Sequence, residues 1–297
     1  MINALTVDVE DYHNVLARDW LDVEASPTHA VVDNTNRLVE LFSRYDTRAT
    51  FFILGEVAES YPQLIRDIAA AGHELGVHGY RHRQIFKLTP EGFHQEISMA
   101  KSLVEDAAGV QVSGHRAPAF SITPDTRWAL EVLADVGFRF DSSIFPSGRV
   151  HLDAPQSLSR WPLPHGWPGF RPDIHEITLD SGRTIIEVPM STVSIAGCIP
   201  LPACGGGYLR HFPLAVTRWA IRRIQRRRPA VVYLHPYDIE LTGKPPDTDR
   251  LGADQARRVR RYHRLQVRNR HTVEGKILRL LEEFRFATVG EVIRNVI

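Results

Sequence analysis

The sequence predicts an α/β fold with a parallel sheet, and three observations support a barrel. Short apolar runs rich in β-formers alternate with amphipathic helical patterns along most of the chain. The 297 residues suffice for one α/β barrel. Polar, titratable residues follow directly after several of the predicted strands, where barrels of this class carry their active sites.

The N-terminal half supplies the alternation in order. Thr89 predicts a helix start, because it can cap a helix whose first position is Pro90. Gly72 and Gly137 each follow a helical pattern and predict its end. The predicted strands are 4–9, 49–54, 74–77, 114–117 and 138–144, and the predicted helices are 31–45, 56–71, 90–108 and 124–136.

The alternation breaks at about residue 146 and resumes near residue 214. Residues 146–213 are rich in Pro and Gly, and 174–179 with 184–188 resemble a hairpin, so we interpret this region as an inserted β region. A helix at 214–228 and a strand at 230–234 follow. Residues from about 238 to 297 form a predicted helical C-terminal extension with a last strand near 286–288. We expect one domain over residues 1–297.

Charge is unevenly distributed along the chain. Its formal net charge is +1, but residues 210–271 hold 16 Lys and Arg against five Asp and Glu. This basic segment is either a solvated helical surface or a surface for an anionic polymer or membrane. No recognition motif accompanies the arginines, so we expect no nucleic-acid partner.

Targeting signals are not evident in this sequence. No apolar run approaches the roughly 20 residues that span a bilayer, and no secretory signal is recognisable, so we expect a cytoplasmic protein. The two cysteines, Cys198 and Cys204, do not form a disulfide framework. We interpret them as reduced thiols, with a loop disulfide or a zinc pair as alternatives.

A possible metal site combines histidines with carboxylates. His78 and His82 are four residues apart, and at helical spacing they would share one face. If the first strand stays extended, Asp8 and Glu10 point to one side and Asp11 to the other. One carboxylate could then bind a divalent metal with the histidines, while the other acts as general base. A loop hydrogen bond is the favoured reading of Asp11.

Three further residues at strand ends could complete such a site. Arg116 could hold a carboxylate ionised and oriented, or form a surface ion pair. His235 follows the apolar run at 231–234 and could protonate a leaving group, with Asp141 stabilising its imidazolium form. The alternative for His235 is a core histidine bonded to a backbone carbonyl.

Five ordered motifs resemble the polysaccharide deacetylase family, also called NodB-homology or carbohydrate esterase 4. They are TVDVED at 6–11, GHELGVHGYRH at 72–82, RAPAF at 116–120, DSS at 141–143 and LHP at 234–236. The resemblance implies a distorted (β/α) barrel, a divalent metal that is usually zinc, and deacetylation. It also implies that Asp8 is the general base, His78 and His82 are metal ligands, Arg116 braces the base and His235 is the general acid.

Two positions depart from the family pattern. Most relatives have adjacent aspartates in the first motif, whereas Val9 stands at the position of the metal-binding aspartate here. Asp8-Val9-Glu10 is similar to a variant Asp-x-Asp arrangement, so Glu10 is the expected third ligand, with Asp11 in reserve. Gly79 stands where a Ser or Thr is usual, which removes a hydroxyl near the first histidine.

The motif set also looks like the subgroup linked to exosortase-associated exopolysaccharide gene clusters. The expected function is therefore removal of N-acetyl groups from amino sugars of a polysaccharide or oligosaccharide during exopolysaccharide synthesis. One alternative is a hydrolase of small amides or cyclic imides, similar to allantoinase, because a fold does not fix its substrate. The other is a non-catalytic polysaccharide-binding protein that uses the basic segment.

Overall fold

The computed structural model describes residues 1–21, 23–147, 166–195, 199–202, 204–241, 243 and 245–297. Its strands are β1 Asn3–Val9, β2 Thr50–Ile53, β3 Glu74–Val77, β4 Gly114–His115, β5 Phe140–Asp141, β6 His175–Thr178, β7 Thr184–Glu187, β8 Thr192–Ile195, β9 Ile199–Pro202, β10 Val231–Leu234 and β11 Phe286–Ala287. Its helices are α1 Tyr12–Leu21, α2 Ala30–Ser43, α3 Gly55–Ser60, α4 Pro62–Ala70, α5 Pro90–Ala108, α6 Trp128–Val136, α7 Gly206–His211, α8 Leu214–Ile224, α9 Ala253–Val267, α10 Val273–Glu283 and α11 Val289–Arg294.

Nine of these strands form one curled sheet in the order β10-β1-β2-β3-β4-β5-β7-β6, with β11 paired to β1. Every pairing in it is parallel except that of β6 with β7. β1 lies inside the sheet and all seven of its residues are buried, as an apolar run in a parallel sheet predicts. The predicted α/β fold with a distorted barrel sheet is confirmed.

Two predicted helices have different bounds in the structure. The pattern at 56–71 forms two helices, because the chain leaves helical geometry at Tyr61 (φ −134°, ψ 60°) and Pro62 begins α4. The pattern at 214–228 ends with α8 at Ile224, and the following arginines lie in a turn. The helix at 90–108 is as predicted, and Thr89 Oγ1 accepts a hydrogen bond from Gly92 N.

The hairpin predicted within the inserted region is present as β6 and β7, whose register pairs Glu176 with Ile186. Residues 148–165, 196–198 and 203 of the insertion lie outside the described part. Helix α1 was not predicted, because its apolar residues are too few for a clear period. It matters here because it directly follows the polar end of β1.

The C-terminal extension returns to the sheet. Its helices α9 and α10 lead to β11, which pairs in parallel with β1 through Asn3 and Phe286. Among the helices of the described residues, none is both long enough and apolar enough to cross a membrane.

Candidate metal centre and active site

The predicted site residues gather at the carboxyl ends of three strands. Asp8 lies near the end of β1 and Glu10 follows it, while His78 comes directly after β3 and His235 directly after β10. β1 pairs with β10 on one side and with β2 on the other, and β2 pairs with β3. The sheet order therefore brings these four residues together.

Three side chains form a cluster with the geometry of a metal site. Glu10, His78 and His82 each offer one ligand atom, and these atoms lie within 4.8 Å of one another. Glu10 Oε2 is 2.8 Å from His82 Nε2 and 3.9 Å from His78 Nε2. Two histidines and one carboxylate are a frequent ligand set for a catalytic divalent ion.

A turn, rather than the expected helix, brings the two histidines together. β3 ends at Val77, and the chain then turns with positive φ at Gly79 (81°) and at His82 (54°). A Cβ atom at Gly79 would lie 3.3 Å from Pro118 Cγ, so both backbone geometry and space favour glycine here. The two imidazole centroids are 5.5 Å apart.

The orientation of His78 suits metal binding. Its Nδ1 lies 2.8 Å from the backbone carbonyl oxygen of Arg116, so the N–H that donates to this carbonyl is on Nδ1. The lone pair of Nε2 then faces the cluster. This carbonyl provides the orienting partner that the missing hydroxyl at Gly79 does not, and burial lowers the pKa of His78 to about 4, which favours the neutral ligand form.

The electrostatics of the cluster favour a cation. Although burial opposes its charged form, His82 and the other two nearby histidines hold the pKa of Glu10 well below its ordinary value. Although burial lowers the pKa of His82, the Glu10 carboxylate raises it to about 10. Glu10 Oε2 is buried without a hydrogen bond of good geometry. Residues in this arrangement fit a divalent ion, which would satisfy the carboxylate oxygen.

Asp11 is not part of the cluster. Its Oδ1 accepts a hydrogen bond from His13 N at 3.1 Å, and its Oδ2 accepts one from Thr28 N at 2.5 Å. These bonds connect the loop before α2 to the end of β1. Of the two candidates for third ligand, the structure brings Glu10 to the histidines.

Asp8 and Arg116 form a buried ion pair. Arg116 Nη1 donates to Asp8 Oδ1 at 2.7 Å and to Thr6 Oγ1 at 2.7 Å. Arg116 is fully buried and its Nε donates to the carbonyl oxygen of Ser142 at 3.0 Å. The guanidinium also lies 4.3 Å from the centroid of the Phe52 ring. These contacts fix the position of the Asp8 carboxylate as the sequence predicts.

The carboxylate that holds His235 is Asp238, which corrects the expected partner Asp141. His235 Nδ1 lies 3.2 Å from Asp238 Oδ2, and Arg210 Nη1 donates to Asp238 Oδ1 at 2.6 Å. Burial opposes the charged imidazole, but the Asp238 contact raises the pKa of His235 above its ordinary value. A raised pKa increases the fraction of protonated imidazole at a given pH, which suits a proton donor.

The contacts of Asp141 lie elsewhere, at the end of β5, which four strands separate from β10 in the order of the sheet. Asp141 instead pairs with His115, its direct neighbour across the sheet, with 2.7 Å between Oδ1 and Nδ1. Ser143 Oγ donates to the same carboxylate at 2.7 Å and accepts from Ala117 N at 2.7 Å. Through Ser143, Asp141 therefore supports the backbone of Ala117, the residue after Arg116.

Tyr237 is the contact that the sequence analysis missed. Its hydroxyl donates to Glu10 Oε1 at 2.9 Å, and its ring stacks on His235 with centroids 4.6 Å apart and 9° between the planes. Arg270 lies 5.3 Å from the centroid of the same ring. Tyr237 thus contacts a candidate ligand and the candidate acid at once. The available signal was its position two residues after His235.

Of the two cysteines, Cys204 belongs to the described residues. Cys204 is a buried free thiol whose pKa is raised to about 12 by burial. It is therefore protonated at neutral pH. Cys198 lies outside the described residues.

Two family models match the chain. One, described as polysaccharide deacetylase, matches residues 20–140, and the other, described as a domain of unknown function (DUF3473), matches residues 142–294. The first therefore contains His78 and His82, and the second contains His235. Asp8 and Glu10 precede both matched ranges.

Two curated relatives are similar over part of the chain. A peptidoglycan deacetylase of Helicobacter pylori is 32% identical over 108 residues, which are 36% of this chain and 36% of the relative. A peptidoglycan-N-acetylglucosamine deacetylase of Bacillus cereus is 30% identical over 98 residues, which are 33% of this chain and 36% of the relative. The matched part of the chain thus spans about a third of the length of these relatives.

The solved structures support the fold. A Mycobacterium smegmatis protein assigned as a polysaccharide deacetylase superposes with a TM-score of 0.59 at 20% identity, covering 99% of this chain and 88% of that protein. At this identity the likeness concerns the fold alone. The family models thus show that the chain carries the DUF3473 domain over residues 142–294, and that residues 20–140 match the polysaccharide deacetylase model.

Proposed function

We propose that this chain is a metal-dependent hydrolase that removes N-acetyl groups from the amino sugars of a polysaccharide. The observation that carries the proposal is the meeting of three features at one end of the sheet. These are the Glu10–His78–His82 cluster, the Asp8 carboxylate held by a buried arginine, and a histidine whose pKa is raised. Hydrolysis of an amide uses all three, since it needs an electrophile activator, a base and an acid.

The ion, most consistently Zn²⁺ for two imidazoles and one carboxylate, would be held by Glu10, His78 and His82. When bound, it supplies Lewis acidity that polarises the acetyl carbonyl and favours ionisation of water. Glu10 offers Oε2, because its Oε1 accepts the Tyr237 hydrogen bond.

Asp8 acts as the general base in this proposal. Arg116 engages Oδ1, so we assign proton acceptance from the attacking water to Oδ2. The arginine holds the carboxylate in a fixed position, so that no reorientation is needed when the proton transfers.

His235 acts as the general acid and protonates the departing amine. Its Nδ1 faces Asp238, so Nε2 carries the proton that is donated. Arg210, which is itself buried, holds Asp238 from the other side. After the transfer, acetate and a free amino sugar leave the site.

The biological setting that we propose is exopolysaccharide synthesis. Its support is the motif set TVDVEDY, GHRAPAFSI, FDSSIFP, GGGYLRHFPL and YLHPYD, which resembles the exosortase-associated subgroup. The peptidoglycan deacetylases among the relatives support the same bond type, an N-acetyl group on a polymer of amino sugars.

Acetate release tests the proposal directly. Protein would be incubated with N-acetylglucosamine oligomers and with native exopolysaccharide, with Zn²⁺ or Co²⁺ added or with a chelator. We expect acetate release that requires the metal. Turnover of small cyclic amides without turnover of sugars would favour the allantoinase-like alternative, and tight polymer binding without acetate release by metal-loaded protein would favour a binding role.

A further inference from the structure

A stacked pair of aromatic rings lies beside the metal cluster. Trp20, near the end of α1, and Tyr262, on α9, have ring centroids 4.3 Å apart and an angle of 20° between their planes. Both side chains are half-buried, so part of each is accessible. Gln255 Nε2 also donates to the Trp20 carbonyl oxygen at 3.4 Å, which connects α9 to α1 at the same place.

Contacts on both sides show that this pair borders the site. Asp19, the residue before Trp20, has its Oδ2 3.9 Å from His82 Nδ1. On the other side, the residue after Tyr262 is His263, whose Nδ1 lies 2.9 Å from the Tyr12 hydroxyl, and the Tyr12 ring lies 5.5 Å from the Tyr237 ring between centroids. The aromatic pair therefore lies one residue from a contact with His82 and close to Tyr237.

The helix that carries Tyr262 is strongly basic. Five arginines of α9 are exposed, against Asp254 as the one acidic residue of this helix: Arg257, Arg258, Arg260, Arg261 and Arg264. Within the part of the chain that the structure describes, Arg257, Arg261 and Arg264 form no ion pair. An exposed row of such guanidinium groups attracts anions and is weakened by salt.

We propose that Trp20, Tyr262 and the exposed arginines of α9 form a subsite for an acidic sugar unit next to the N-acetylated one. The substrate would then be an anionic polysaccharide. Aromatic faces pack against the apolar C–H face of a sugar ring, and guanidinium groups bind its carboxylates or phosphates. The inference rests on the proposed function, because it assumes that a sugar polymer passes through the site.

The location favours a polysaccharide over other anions. The aromatic pair adjoins the cluster. A polymer whose acetyl group enters the site must therefore continue either past this pair or past the opposite side of the site. Nucleic acid or an anionic membrane would have no reason to bind beside His82 rather than at the other basic helix. At that helix, Arg223 lies in the last turn of α8, and Arg226 and Arg227 lie in the turn that follows; all three are exposed and near the start of β10, at the opposite end of this strand from His235.

The test compares two probes with the same backbone. Binding of an N-acetylglucosamine hexamer and of its O6-carboxymethylated form would be measured by calorimetry at low salt and at 0.5 M NaCl. We expect the charged hexamer to bind about tenfold more tightly at low salt, with the difference lost at high salt. Replacing Arg257, Arg261 and Arg264 by Gln should remove the difference.

Matched variants separate the subsite from general charge. The triple change of Arg223, Arg226 and Arg227 to Gln, the α8 variant, removes the same charge from the end of α8 and the turn after it and should leave the tenfold preference intact. Tyr262→Ala should weaken the binding of both hexamers, whereas Tyr262→Phe should preserve it. These measurements use binding alone, so they are independent of acetate release, whose absence would overturn the proposed function instead.

Three results would overturn the inference. One is equal affinity of wild-type protein for the two hexamers, and another is an equal effect of the α8 and α9 triple variants. The third is tighter binding of a single-stranded DNA oligomer or anionic vesicles than of the charged hexamer, lost in the α9 variant, which would assign α9 to another partner.

Discussion

Tyr237 makes a prediction that isolates one hydrogen bond to a candidate metal ligand. Tyr237→Phe removes the hydroxyl that donates to Glu10 Oε1 at 2.9 Å and keeps the ring that stacks on His235. The change creates no large cavity, because only one oxygen atom is lost. We expect weaker metal binding and, because the same bond is made without the ion, a lower free energy of unfolding as well.

The structure sets the size of the effect. Glu10 is ionised and 4% exposed, so the lost bond is one between a neutral donor and a buried charge. Such bonds contribute about 1.5–3 kcal/mol, which corresponds to roughly 10- to 100-fold in affinity. This agrees with the range of about 10- to 100-fold found when partners of metal ligands are removed. Glu10 Oε1 would also become free to compete with Oε2 for the ion.

The assay is a competition titration of Zn²⁺ against a chromogenic chelator, with the visible spectrum of the Co²⁺ form as a second readout. Tyr45→Phe is a matched control, because it removes a tyrosine hydroxyl that donates to an exposed glutamate, Glu282, at 3.4 Å. An unchanged dissociation constant and an unchanged Co²⁺ spectrum in Tyr237→Phe would refute the reasoning.

Three further predictions concern other groups of the chain. Asp8→Asn should lower kcat by about 10²-fold or more, the usual worth of a general base, while the protein retains its metal by elemental analysis; near-normal turnover would exclude Asp8 as the base. Asp238→Asn should also lower kcat, because His235 loses its charged partner, and a normal kcat would show that His235 acts without it. His73 is buried, which lowers its pKa from 6.5 to about 4, so the unfolded chain binds a proton that the folded chain does not and stability falls as the pH drops from about 6.5 to 4. His73→Asn keeps an acceptor for Ala49 N but does not titrate, so urea unfolding at pH 7 and 4.5 should show a smaller loss than in wild-type protein, by up to about 3 kcal/mol; equal losses would contradict this account.

The sequence predicted best those site residues that could be placed from their position at the end of a single strand. Asp8, Glu10, His78 and His235 each follow a buried apolar run, and parallel strands bring such positions to the same edge whatever the order of the strands. Arg116 was predicted for the same reason. These inferences needed the periodicity and the direction of the strands, and both are local properties of a sequence.

Contacts that depend on strand order and register were not predictable. Asp141 follows a strand as His235 does, but only the order of the sheet shows that the two are far apart. Tyr237 meets Glu10 because Val7 pairs with Leu234, and each of the two residues lies three positions further along the chain, just past the end of its strand. Periodicity does not reveal a register between segments more than 220 residues apart in the chain.

The geometry also gives the C-terminal half a role in the chemistry. His78 and His82 belong to the range matched as polysaccharide deacetylase, whereas His235 and Tyr237 belong to the range matched as a domain of unknown function. Glu10 contacts members of both sets, because His82 Nε2 lies at its Oε2 and the Tyr237 hydroxyl at its Oε1. One carboxylate thus connects the two halves of the chain through opposite oxygens. A metal ion at Oε2 would therefore depend on a residue of the C-terminal half, and the pairing of β10 with β1 is what brings that residue to Glu10.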